Sequence, residues 1–111
     1  MTREELVEIL EDTGLEITYR AFPIGEAPDL PYLIYFYEGN DDVLADNQNY
    51  VDVKNLVVEL YTSQERDFDT EDTVDGVFKT NHMTYAKTEE YIETTSMYRI
   101  TYEMEVILNG E

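Results

Sequence analysis

The fold of this chain turns on Tyr98-Arg-Ile-Thr-Tyr-Glu-Met-Glu-Val-Ile-Leu108. Six apolar side chains, Tyr98, Ile100, Tyr102, Met104, Val106 and Leu108, alternate there with Arg99, Thr101, Glu103, Glu105 and Ile107. Successive side chains of a strand point to opposite faces, so this spacing predicts an extended strand with one face turned to a core. Each large side chain fully buried on that face contributes roughly 1.5–3 kcal/mol, which makes this strand the anchor of the core.

Working outward, Glu93-Thr-Thr-Ser96 reads as a hairpin turn and Thr84 to Ile92 as its extended partner. Before it the period changes. Val74, Val77 and Phe78 stand at i, i+3 and i+4, acids crowd the first turn and Lys79 lies near the end, so Asp67 to Thr80 is expected to be helical. Gly76 costs about 1 kcal/mol relative to alanine in a helix interior, which suggests a site where another element packs closely. Tyr50 to Thr62 reads as a long strand whose apolar register changes near Lys54-Asn55, as a bulge or bend would produce. Val43-Leu-Ala is a short pairing segment ahead of Asp46-Asn-Gln-Asn49. Tyr32-Leu-Ile-Tyr-Phe-Tyr37 is nearly continuous in β-favouring residues, as expected for a central strand covered on both faces, and Glu38 to Asp42 ends it with turn chemistry.

At the other end, Thr2-Arg-Glu-Glu5 is a capping box opening a helix over residues 3 to 13. Leu6, Val7, Ile9 and Leu10 form its apolar stripe and Gly14 its left-handed stop. Leu15 to Phe22 alternates as a half-buried strand, and Pro23, Pro28 and Pro31 hold an irregular but ordered connection. The order predicts one domain over residues 1–111, of α+β class, with a mainly antiparallel sheet and two helices packed on one face.

The chain has 111 residues, 26 of them acidic against seven basic, and a formal charge of −19 at pH 7. That length suits one domain with one modest core. A polyanion or an anionic membrane would meet net repulsion, so neither is expected as a partner. The charge serves either as a solubility device or as an electrostatic surface with a purpose. With no cysteine, disulfides and metal–thiolate sites are excluded and an intracellular setting fits. No apolar run approaches the roughly 20 residues of a membrane span, and the acidic start does not suit a signal peptide.

Chemistry finds little support. His82 is the single histidine, beside Asn81 in an expected loop, without the partners that a nucleophile–base arrangement requires. Asp67-Phe-Asp69-Thr-Glu71 copies the alternating acids of a calcium loop, but Asp72 occupies the turn-glycine position and a capped helix explains the segment better. Carboxylate pairs are too numerous to single one out, and no glycine falls in a phosphate-cradling pattern. No catalytic activity, metal or cofactor is expected. The ten tyrosines suit cross-strand packing and also interfaces, on opposite faces of one sheet.

Three phrases carry a resemblance: Leu30-Pro-Tyr-Leu-Ile-Tyr-Phe36, Val57-Val-Glu-Leu-Tyr-Thr62 before an acidic helix, and Met97 to Val106. With the element order, they resemble the tail-terminator and tail-to-head joining proteins of long-tailed phages and of prophages of Gram-positive bacteria. The resemblance implies a ring, typically a hexamer of the chain with itself, that closes the tail tube and meets the head connector. It implies the virion as the final location, reached from the host cytoplasm, with DNA passing through and not bound. It carries over no catalytic residues.

Two stretches are candidate interface or lumen surfaces, with solvated loop or helix faces as the alternative. The first holds Glu38, Asp41, Asp42, Val43, Leu44, Asp46, Asn47 and Asn49; the second holds Glu65, Asp67, Asp69, Glu71 and Asp72. A DNA mimic that inhibits a DNA-binding enzyme is the competing reading, and a carboxylate-dependent enzyme a third.

Overall fold

Residues 1–40, 43, 44, 50, 51 and 53–108 are described by a computed structural model. The chain begins with helix α1, Arg3–Glu11, whose N-cap Thr2 accepts from the Glu5 amide at 3.1 Å while Glu5 accepts from the Thr2 amide at 2.7 Å. This is the reciprocal capping box read from the sequence. Gly14, at φ +80°, turns the chain out of the helix. The buried Thr13 hydroxyl donates to the Leu10 carbonyl at 2.6 Å and satisfies one of the orphaned helix-end groups.

Strand β1, Glu16–Tyr19, is shorter than its apolar alternation. Arg20 takes φ 68°, and the Ala21 amide turns back onto the Tyr19 carbonyl at 2.8 Å, which ends the strand. After the proline-bearing connection come β2, Tyr32–Asn40, then the short β3, Val43–Leu44, and β4, Tyr50–Val51. Strand β5, Val53–Thr62, leads into helix α2, Phe68–Thr80. The hairpin of β6, Ala86–Ile92, and β7, Met97–Ile107, completes the order, with Glu93 to Ser96 as its turn.

One sheet runs β1-β2-β5-β7-β6 and a separate pair joins β3 to β4. Every pairing in the main sheet is antiparallel except β1 with β2, so the class is α+β with a mixed, mostly antiparallel sheet. The middle position belongs to β5, not to β2. On one face, β7 presents Ile100, Tyr102 and Met104 opposite Leu60, Val58 and Leu56 of β5, with Leu33 of β2 beside them. Leu6 and Leu10 of α1 and Val74 and Phe78 of α2 close over this layer, and all four are fully buried. Both helices therefore pack on one face, as the sequence order predicts.

Three expectations shift. The register irregularity lies on β2, where three steps from Tyr37 to Asn40 match two steps of β5 from Leu56 to Lys54, and Gly39 at φ +76° supplies the turn. A glycine in the left-handed region absorbs an extra residue without Cβ strain, so the bulge forms there and not at Lys54-Asn55. The expected single strand from Tyr50 to Thr62 is divided, with Tyr50–Val51 in the β3–β4 pair and Val53–Thr62 in the main sheet. Gly76 meets no neighbour: a Cβ there would find nothing within 4 Å.

Candidate functional site

The face of the sheet away from the helices carries Tyr32, Ile34 and Phe36 on β2 opposite Tyr61, Glu59 and Val57 on β5. Among the described residues, the expected second cover for β2 comes from local rings and not from a further element. Phe22 meets Tyr32 edge-on at 5.1 Å, Tyr32 lies 5.4 Å from Tyr61, and the Arg20 guanidinium sits over Phe36 at 5.2 Å. These contacts leave the β2 side chains half-buried. The Tyr61 hydroxyl donates to Glu59 at 2.8 Å, and burial followed by that bond pushes its phenol up to about 12. On the same face Arg99 pairs with Glu90 across β7 and β6.

Much of the second acidic stretch is engaged within the chain. Asp67 caps α2, accepting from the Thr70 hydroxyl at 2.7 Å and the Thr70 amide at 3.1 Å. Those bonds, the hydroxyl first, hold its carboxyl below the usual aspartate range. Glu71 is only 6% exposed and lies between Arg66, at 2.6 Å, and Lys87. Lys87 also reaches Asp75 at 2.9 Å, and Arg66 reaches Glu89 at 2.8 Å. Five side chains thus tie α2 and the segment before it to β6. Beneath them Tyr102 is fully buried, and burial raises its phenol pKa. Glu65, Asp69 and Asp72 are exposed.

Of the first stretch, Glu38 is exposed at the end of β2. Val43 and Leu44 form β3, paired with Val51 and Tyr50. Asp41, Asp42, Asp46, Asn47 and Asn49 lie outside the described residues. Glu38 also borders an open groove of about 1070 Å³ along the second half of β7. There the Met1 amino group donates to the Ile107 carbonyl at 3.0 Å. Two further apolar side chains are exposed, Ile107 on the outward face that its alternation assigns it and Ile24 outside any strand pattern. Ile24 is fully exposed on the turn closed by the Glu26 amide and Pro23 carbonyl at 2.9 Å, and Ile107 is 53% exposed on β7. A glycine after Ile24, with φ +81°, is the one sequence sign of that turn.

His82 is exposed in the turn after α2. Among the described residues no group of three or more histidines and acids is placed to hold a metal ion, and no helix is long and apolar enough to cross a membrane. The described surfaces include exposed acidic side chains, an aromatic sheet face and a strand edge.

No family model and no curated protein sequence matches the chain at a significant level. Its fold is similar to that of a chain in the virion of a native gene transfer agent particle. The superposition has a TM-score of 0.58 at 15% identity and covers 92% of this chain and 84% of that one.

Proposed function

We propose that this protein is a structural component of a phage-like virion, and that it forms a ring at the head-proximal end of the tail, joining the tail tube to the head connector. The observation that carries this is a shared fold along nearly the whole chain with a protein whose particle is a virion. Because that likeness covers 92% of this chain and 84% of the other, it supports the same kind of building block and not a borrowed motif. The role is architectural, with no catalytic step.

The charge suits a passage for DNA. With −19 per protomer, a ring would hold a negative lumen that repels the polyanion and lets it slide without sticking. Glu65, Asp69 and Asp72 are exposed and, among the described residues, have no base within salt-bridge distance, which suits a lumen or a neighbouring subunit. The sequence-level partners follow: other copies of this chain, a tail tube protein and a head connector.

A DNA mimic needs free carboxylates in phosphate-like rows. Glu71, Asp75, Glu89 and Glu90 are instead neutralised by Arg66, Lys87 and Arg99. This favours the assembly role. Light scattering of the purified protein, alone and with tail tubes, tests it: rings or tube-bound protein are expected. A monomer that ignores tubes and connectors while inhibiting a nuclease would reverse the choice.

A further inference from the structure

Strand β7 is longer than the partner that covers it. Its ladder with β6 ends where Ala86 faces Glu103, whereas its ladder with β5 continues to Val53 opposite Ile107. From Met104 to Ile107 the strand pairs with β5 and, among the described residues, with no other strand, and the Ile107 carbonyl there accepts from the Met1 amino group at 3.0 Å, which an added strand would displace or lie beside. The groove of about 1070 Å³ is lined by this part of β7 together with Met83 and Tyr85. An unpaired edge is a row of amides and carbonyls able to take up another strand, and the groove leaves room for one.

The side chains along the edge specify what would fit. Met104, Val106 and Met83 are 7%, 5% and 9% exposed and give an apolar strip on the face that carries the helices. Glu103 and Glu105 are exposed on the opposite face, two residues apart, with Ile107 next in line. A strand laid in line with β6 would turn alternate residues toward the carboxylates and toward the apolar strip.

We infer that the Met104–Ile107 edge of β7 binds, by strand addition, a short extended segment of another protein in which lysine or arginine alternates with apolar residues. A second copy of this chain does not supply such a segment. Its seven bases are Arg3, Arg20, Lys54, Arg66, Lys79, Lys87 and Arg99, and no two of them stand two residues apart. Arg66, Lys87 and Arg99 are also held in ion pairs of their own protomer. An edge-to-edge meeting of two copies would set Glu103 and Glu105 against like charge. This site stands whether or not the protein forms a ring.

The probe is a blocked peptide of alternating lysine and valine, titrated into the whole protein at about 0.15 M salt, where weak long-range attraction is screened. Amide NMR shifts are expected at Met104 to Ile107. Two double variants with equal charge change separate the site from general attraction: Glu103→Lys with Glu105→Lys, and Glu4→Lys with Glu8→Lys on the exposed side of α1. The first should weaken binding roughly tenfold and the second no more than about threefold, since only the first places charge at the contact. The same peptide with every backbone amide N-methylated keeps its charge and should lose the interaction. Equal weakening by both variants, undiminished binding of the methylated peptide, or shifts that avoid Met104 to Ile107 would each overturn the assignment. Self-association through this edge in the absence of peptide would overturn it as well.

Discussion

Neighbouring acids on one helix have opposite fates. Glu71 is held between Arg66 and Lys87 in a nearly dry site, whereas Asp72 faces water. Removing one member of a buried ionic group leaves the others uncompensated, at a cost of roughly 3–5 kcal/mol. Glu71→Ala should therefore lower unfolding free energy by about 3 kcal/mol, and Asp72→Ala should change it by less than about 0.5 kcal/mol. Urea denaturation of the two variants checks this. Asp67 gives a pH-dependent counterpart. Its folded pKa is depressed, so its contribution is present above the ordinary aspartate range, about 4, and is lost as pH falls through the depressed value. Asp67→Ala should cost about 1 kcal/mol at neutral pH, as loss of an N-cap does, and most of that difference should vanish near pH 2. A gap that stays constant on acidification would show that the carboxylate is not the capping group.

Elements with a single strong period were readable, and their boundaries were not. The alternation of Tyr98 to Leu108 marks β7, and the capping box marks the start of α1, because both signals are local and chemically specific. The early stop of β1 depends on Arg20 at φ 68°, and the bulge depends on Gly39, and neither backbone state is written in hydrophobic spacing. The engagement of Glu71 was hidden for a related reason: Lys87 lies 16 residues away and meets it only after α2 packs beside β6. Two variants test element packing. Ile100→Ala empties a fully buried position on β7 and should destabilise by about 3 kcal/mol, within the usual range for large-to-alanine core changes. Gly76→Ala meets only open space and should stabilise α2 by about 1 kcal/mol, read as a raised denaturation midpoint. Loss of stability at Gly76→Ala would show a packing constraint that the protomer does not contain.

At the scale of the molecule, the acidity is divided between structure and surface. Arg66 and Lys87 engage Glu71, Asp75 and Glu89 to fasten α2 to β6, while acids such as Glu65, Asp69, Asp72, Glu103 and Glu105 are exposed. That division gives a protomer whose core does not depend on burying its excess charge, while its surface still presents a strongly negative field. Copies of so acidic a chain repel one another at long range, so the proposed ring would draw on apolar and main-chain contacts or on a template. The half-buried aromatic face of β2 and β5 and the exposed Ile24 and Phe68 are described places where such contacts between copies are available. The most direct measurement is electron microscopy of the purified protein mixed with tail tubes from the same genome, with the protein carrying a visible fusion tag. Ring-shaped, tagged density capping one end of each tube is expected. Tubes with bare ends beside a protein that stays monomeric would contradict the proposed role.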